Sequence, residues 1–258
     1  MTSGCVIQDK EFKNPPCMED IGGDSFKSLR LILKLSGEFL AGDKGFGFDL
    51  GILDQLTEDI LEIKNMGFEI GIVLGGGNFF RGKELTTIDR VAADNVGMLA
   101  TIQNAIVVSD ILKQKGCVTK VFSAFALDKI SKYYTYSAAD NSLRKGIVCF
   151  FSGGTGNPFF TTDTAAILRA IELKCDLVLK GTKVDGIYTS DPKKCDKAIF
   201  IPQINYSDAL QKQLNIMDMT AFSLARDYKV PIKVFNITKK GNLKKAILSN
   251  DIGTYVSE

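Results

Sequence analysis

The chain has 258 residues, 45% of them hydrophobic, enough to bury a full-sized core in one large α/β unit rather than two ordinary domains. Its 32 basic and 30 acidic residues leave a formal charge of +2, so no whole-chain field favours nucleic acid or an anionic membrane. Histidine is absent, which removes the commonest general base, the Ser/His/Asp and Cys/His nucleophile arrangements and every His-containing zinc site, and leaves the chemistry to lysine, arginine, carboxylates or a metal.

Residues 1 to 28 mix Lys10, Lys13 and Lys27 with Asp9, Glu11, Glu19, Asp20 and Asp24, and contain no arginine and no apolar h-region. We expect neither a secretion signal nor an ordinary transit peptide there. We expect a polar, disordered extension followed by a single catalytic domain over 29–258. No apolar run approaches the roughly 20 residues needed to span a bilayer. Cys5, Cys17, Cys117, Cys149, Cys175 and Cys195 show no CxxC spacing. A soluble, cytoplasmic protein with reduced structural thiols is expected.

From Leu29 onward, short apolar or β-branched runs alternate with amphipathic segments, the pattern of βα units around a mainly parallel sheet. The first run, 30–35, is interrupted by Lys34 and delivers Ser36-Gly37. Leu53, Leu56, Ile60 and Ile63 recur at helical spacing, and Gly67 sits where a C-terminal cap belongs. The run 68–74 delivers Gly75-Gly76-Gly77. A long helix over about 89–115 follows, with Val91, Met98, Leu99, Ile102 and Ile106 on one side and Gly116 ending it; its length suits a core or interface helix. Strands are expected at 118–122 and 147–152, the latter delivering Gly153-Gly154-Thr155-Gly156, and a helix at TDTAAILRAIE. The run 176–180 ends in Lys180, placed as Lys34 is in the first strand. Beyond it, Asp185-Gly186 and Asp191-Pro192 flank a short IYT, a hairpin or lid over a site. A last strand is expected at 231–235.

No GxxxxGK[ST] occurs, and neither GGGNFF nor GGTGNP completes a GxGxxG, so P-loop and dinucleotide readings lose their footing. Three strands nevertheless deliver glycine turns to one sheet edge. A glycine backbone can approach an anion closely, and a following helix adds roughly half a positive charge at its N-terminus, so these turns point to phosphate binding; strand termination alone is the plainer alternative. Lys34 and Lys180 would meet at that edge, either snorkelling to solvent or holding a migrating phosphoryl group. Asp163 opens its helix as a cap, or as an organiser of lysines or Mg²⁺ during phosphoryl transfer. Asp218, before MTAFSLARD, is a weaker candidate. Arg81 lies close enough to Gly77 to fork a phosphate. Asp94 could accept from ribose hydroxyls or be a solvated acid. Phe159 and Phe160 wall a base pocket, or belong to the core.

Together LKLSGE at 33–38, GGGNFFRG at 75–82, GTGNPFFTTD at 154–163, KVDGIYTSDP at 183–192 and MTAFSLARD at 219–227 resemble the bacterial-type UMP kinases of the amino acid kinase superfamily. The resemblance runs from about Leu29 to the end, and GTGNPFFTTD with GGGNFFRG is specific to that branch. It implies a three-layer αβα sandwich, ATP with Mg²⁺ as donor, UMP as acceptor and a homohexamer. By motif, Lys34, Leu35, Ser36, Gly37, Gly77, Arg81, Thr182, Tyr188 and Asp191 would hold ATP, and Lys34, Lys180 and Asp163 would serve catalysis. Gly76, Arg81, Asp94, Thr155, Gly156, Asn157, Pro158, Phe159, Phe160, Thr161 and Thr162 would hold UMP. The segment Gly42, Asp43, Lys44, Gly45, Phe46 and Gly47 would contribute to a GTP effector site, with GTP activating and UTP inhibiting. The extension over 1–28 has no counterpart in short relatives, and Tyr188 stands where phenylalanine is common. Two other readings stay open: a superfamily kinase acting on aspartate, glutamate or carbamate, and a noncatalytic nucleotide-sensing regulator.

Overall fold

The six expected strands all form, within two residues of the expected ends, in a computed structural model that describes residues 29–80, 87–190, 192, 194, 195, 197–214 and 217–258. They are β1 (Arg30–Leu35), β2 (Glu69–Leu74), β3 (Thr119–Ser123), β5 (Val148–Ser152), β6 (Leu177–Thr182) and β10 (Ile232–Asn236). The short β4 (Lys132–Tyr133), β9 (Gln203–Asn205) and β11 (Thr254–Ser257) complete a nine-stranded sheet of order β4-β3-β5-β2-β1-β6-β10-β11-β9. All neighbours in it run parallel except β10 and β11. The expected extension over 1–28 lies outside the described residues.

A parallel sheet is buried on both faces, and the alternation along β1 assigns its side chains to two helical layers. Leu31, Leu33 and Leu35 face a core shared with α2 (Leu50–Asn65), α3 (Arg90–Gln114) and α8 (Asn242–Leu248). Ile32 and Val178 face the other core, built with α4 (Tyr136–Arg144), α5 (Thr162–Glu172), α6 (Tyr206–Gln211) and α7 (Met219–Asp227). Each fully buried leucine of such a layer contributes roughly 1.5–3 kcal/mol. The period of two therefore turns Lys34 and Lys180, two residues beyond Ile32 and Val178, towards the layer that holds α5. This is the three-layer α/β sandwich that the motifs implied.

Helix α2 starts where Asp49 accepts hydrogen bonds from the Gly51 and Ile52 N–H groups (2.9 and 3.2 Å) and stops before Gly67, at φ +92°. The short α1 (Gly37–Leu40) follows β1 directly. IYT does form strand β7 (Ile187–Tyr188), and its antiparallel partner is β8 (Phe200–Ile201).

The anticipated face of α3 needs correction. Of Val91, Met98, Leu99, Ile102 and Ile106, Ile102 is buried, whereas Val91, Leu99 and Ile106 are exposed. The buried face combines Ile102, Val108 and Leu112 with the small or polar Ala93, Ala100, Thr101, Asn104, Ala105 and Ser109. Close approach of the glycine turns selects the small Ala100 and the hydrogen-bonding Thr101 and Asn104 there, and an apolar stripe cannot report that. By length and composition alone α3 would also qualify as a bilayer span, yet it packs on β2, β3 and β5 within the sandwich.

Candidate active site

Parallel strands bring their carboxyl ends to one edge of the sheet, where α/β proteins place their ligands. At that edge Lys34 and Lys180 are direct register partners on β1 and β6. The N-cap Thr161 Oγ1 accepts from the Asp163 and Thr164 N–H groups (3.0 and 3.3 Å), and this starts α5 so that Asp163 faces both lysines. Lys180 Nζ donates to Asp163 Oδ2 at 2.6 Å, and Lys34 Nζ makes an ion contact of 2.5 Å with Oδ1. Lys34 and Asp163 are buried and Lys180 nearly so.

Burial by itself would raise the Asp163 carboxyl, but the Lys34 and Lys180 charges outweigh it and hold the group below its ordinary range. Burial lowers the Lys180 ammonium, against the opposing pull of Asp163. Two ammonium groups contact one carboxylate, and Asp218 is a further acid acting on Lys180. Two ammonium groups brought together in a poorly hydrated place suit an added anion such as a phosphoryl group.

Asp218 does not join the lysines by direct contact. It caps α7 by accepting from the Ala221 N–H (3.0 Å), and it accepts from the hydroxyls of Thr161 and of Thr164 (3.2 Å to each oxygen for the latter). It thus ties the start of α7 to the start of α5.

The first two glycine turns touch. A Cβ on Gly37 would lie 2.6 Å from each of Asn78 Oδ1, the Gly75 carbonyl and the Gly77 nitrogen, so only glycine permits this junction. Gly76 is pressed as closely on α3, where a Cβ would meet the Gly97 carbonyl at 2.7 Å. Gly76 and Gly77 N–H groups have no acceptor among the described residues. The third turn is tied to α3 by Thr101 Oγ1, which accepts from the Gly153 N–H at 2.8 Å.

A cavity of about 160 Å³ opens between the second and third turns, lined by Gly76, Gly77, Asp94, Gly154, Phe160 and Thr162 among others. Another of about 410 Å³ lies past the ends of β6 and β10, lined by residues that include Thr182, Tyr188 and Val234. Of the residues inferred by motif, Gly76, Gly77, Asp94, Phe160 and Thr162 line the smaller cavity, and Thr182 and Tyr188 line the larger one. Leu35 is a core residue, and Ser36 precedes α1.

The loop from Thr155 to Thr162 is internally braced, with the Asn157 N–H donating to Thr155 Oγ1 at 3.2 Å and Pro158 half-buried in the turn. Phe159 is no core residue: it is 66% exposed at φ +71° and lines neither cavity, its N–H is held by Asp94 Oδ2 at 2.7 Å, and Arg90 lies over its ring. Phe160 does line the smaller cavity. Asp94 is no solvated acid; besides Phe159 it takes a 2.8 Å ion pair with Arg90. In the segment Gly42 to Gly47, a 3-10 turn over Gly42–Lys44 leads to Gly45 and Gly47, both at positive φ, with Phe46 edge-on to Phe79 and a weak Lys44–Asp49 pair at 3.7 Å. Arg81 and Asp191 lie outside the described residues.

Thr101, Asn78 and Asn104 brace the turns and were not singled out from the sequence. The available signal was an asparagine mid-way along an otherwise apolar helix, where such a residue is unfavourable unless its side chain has work to do.

The family model described as the amino acid kinase family matches residues 29–236. The chain belongs to that family. Within it the likeness is to uridylate kinases: that of Pasteurella multocida is 48% identical over 231 residues, covering 89% of this chain and 96% of the relative. The uridylate kinase of Photobacterium profundum is 46% identical over 230 residues, covering 88% and 96%. The crystal structure of UMP kinase from Bacillus anthracis superposes with a TM-score of 0.86 at 37% identity, covering 88% of this chain and 95% of that one. The resemblance read from the motifs is borne out.

Proposed function

We propose that this amino acid kinase family member transfers the γ-phosphoryl group of ATP to UMP, giving ADP and UDP, in pyrimidine nucleotide biosynthesis. The observation that carries this reading is the buried Lys34–Asp163–Lys180 cluster, two ammonium groups on one carboxylate, beside three glycine turns. The acceptor comes from kinship, since the relatives at 46–48% identity are named uridylate kinases.

The reaction is a direct in-line displacement. An oxygen of the UMP phosphate forms a bond to the γ-phosphorus as the bond to the β,γ-bridging oxygen breaks, and ADP keeps that electron pair. Lys34 and Lys180 neutralise the migrating group, and Asp163 holds both ammonium groups in place. The acceptor phosphate is largely ionised near neutral pH, so no strong general base is needed, in keeping with a chain that has no histidine. Ser36 and Gly37 take the donor phosphates, Thr182 and Tyr188 its nucleoside with Asp191 by motif, and Gly77 the space between the nucleotides. Gly76, Asp94 and the loop from Thr155 to Thr162 hold UMP, with Arg81 on its phosphate by motif.

Among the described residues no cluster of three His, Cys, Asp or Glu could hold a metal ion, and both Asp163 oxygens are engaged by lysines. By kinship, Mg²⁺ would arrive on the phosphates of ATP. A cytoplasmic homohexamer with GTP activation through residues 42–47 and UTP inhibition remains the family-based expectation. The exposed Val96, Leu99 and Ile106 on α3 offer apolar surface for subunit contacts.

An acceptor panel of UMP, CMP, dTMP, aspartate and glutamate, read by ADP release with ATP as donor, tests the reading. UMP should be preferred by a wide margin. A preference for an amino acid would place the chain elsewhere in the family, and nucleotide binding without ADP release would make it a sensor.

A further inference from the structure

Asn78, next after the glycines of the second turn, and Asn104, on α3, are both buried and form a reciprocal amide pair. Asn78 Nδ2 donates to Asn104 Oδ1 at 2.9 Å, and Asn104 Nδ2 donates to Asn78 Oδ1 at 2.7 Å. The second proton of each amide is also used. Asn104 Nδ2 donates to the Gly75 carbonyl at 2.6 Å, and Asn78 Nδ2 donates to the Gly47 carbonyl at 2.9 Å. The backbone closes the link, with the Gly47 N–H donating to the Asn78 carbonyl at 3.0 Å. A Cβ on Gly37 would collide with Asn78 Oδ1, so the pair also abuts the first turn.

A buried, fully satisfied polar pair is a costly way to join a helix to a turn, and apolar packing would do that alone. What it adds is direction. In a trans peptide the C=O and the following N–H point oppositely, so pinning the Gly75 carbonyl to Asn104 sets the direction of the Gly76 N–H, which has no acceptor among the described residues.

We propose that Asn78 and Asn104 are positioning residues for phosphoryl transfer, holding the Gly75–Gly76 peptide so that the Gly76 N–H is aimed at the phosphates. This rests on the kinase reading given above. Asn104 acts on Gly75 directly, and Asn78 acts through Asn104.

The test compares Asn104→Ala, Asn104→Ser, Asn78→Ala and the double alanine variant with Ser109→Ala. Ser109 is buried on the same helix and hydrogen-bonds Thr119 at 2.7 Å, away from the turns. Each is assayed with saturating ATP and UMP, and melted. Each asparagine variant should lose at least tenfold in kcat per folded enzyme with KM for ATP changed less than threefold. The double variant should be no worse than the poorer single, because the pair acts as one unit. Ser109→Ala should lose melting temperature and keep its kcat. The proposal is overturned if folded Asn104→Ala or Asn104→Ser turns over within twofold of wild type. It is equally overturned if no asparagine variant folds while Ser109→Ala does, which would make the pair purely structural. A wild-type chain that releases no ADP with UMP defeats the kinase reading instead, so the two failures are distinct.

Discussion

Lys34 and Lys180 are register partners on adjacent parallel strands, and the single carboxylate of Asp163 contacts both of their ammonium groups. Like charges directly opposite on a sheet repel, and here they are also buried. Such a geometry is unfavourable for folding and suits an anionic phosphoryl group in transfer, as the proposed reaction requires.

Lys34→Met tests this separation because it keeps the side-chain length and removes one of the two like charges. It leaves Asp163 and Lys180 as a neutral pair. Turnover should fall by about 10²–10³-fold, the scale of losing one preorganised charge donor. The melting temperature should hold or rise. Near-normal ADP release, or a collapse of stability, would contradict the assignment.

Asp163→Asn should move the alkaline limb of the pH–rate profile. Lys180 already lies below its ordinary 10.5 because of burial, and Asp163 is the charge that most opposes that fall. Removing the anion disfavours the ammonium form further, so residual turnover should be lost at a lower pH than in the wild type. Stability gives the matching sign: the folded Asp163 lies under its ordinary 3.8, so its contribution is present above 3.8 and is lost as pH falls below it through the folded value. The variant should lack that acid dependence in pH-resolved melts.

Much of this site was readable from sequence because strand ends and glycine turns are local features. Lys34 and Lys180 each break an apolar run one or two residues before a turn, and parallel topology does the rest. The engagement of Asp163 by both lysines was offered only as one role beside capping, since either fits a second helical position. Phe159 misled for a physical reason: its placement depends on a backbone hydrogen bond to Asp94, 65 residues away. The polar buried face of α3 was equally invisible, because Thr101 and Asn104 answer to turns delivered by β5 and β2 rather than to any helical period.

Asp59 on α2 offers a stability prediction away from the site. Burial raises its carboxyl above the ordinary 3.8, the nearby Glu62 adds to that, and the Gly241 N–H, donating to Oδ1 at 3.2 Å, only partly offsets it. The folded state holds the proton to higher pH than the unfolded chain, so stability declines as pH rises from 3.8 through the folded value. Asp59→Asn mimics the protonated acid. It should melt higher at pH 7, by about 2–4 °C for each kcal/mol recovered, with the gain vanishing near pH 4. A lower melting temperature at pH 7 would contradict this.

The cysteines should differ in reactivity. Burial pushes the Cys149 and Cys175 thiols up to about 12 and raises that of Cys117. A hydrogen bond with Ser190, aided by the Lys197 N–H, lowers that of Cys195. Because the thiolate is the nucleophile, brief iodoacetamide treatment of native protein followed by peptide mass mapping should label Cys195 well before those three. Equal labelling of Cys149 would contradict the burial seen for that strand.

Asp94 offers a test that distinguishes acceptor from donor binding in the proposed reaction. It holds the Phe159 N–H at 2.7 Å, and Phe159 sits at φ +71°, a conformation that costs an L-residue roughly 1–2 kcal/mol. Without the carboxylate the loop should relax away from this geometry. Asp94→Ala should therefore raise KM for UMP by roughly 10- to 100-fold, the scale of a lost hydrogen bond to a charged group, and leave KM for ATP nearly unchanged. Arg90→Ala should change KM for UMP less than about threefold, because the Arg90 side chain is 61% exposed and such pairs contribute little. Equal rises for both nucleotides in Asp94→Ala would mean that the loop supports the whole site. Equal effects of the two substitutions would mean that the ion pair, and not the Phe159 N–H, holds the acceptor loop.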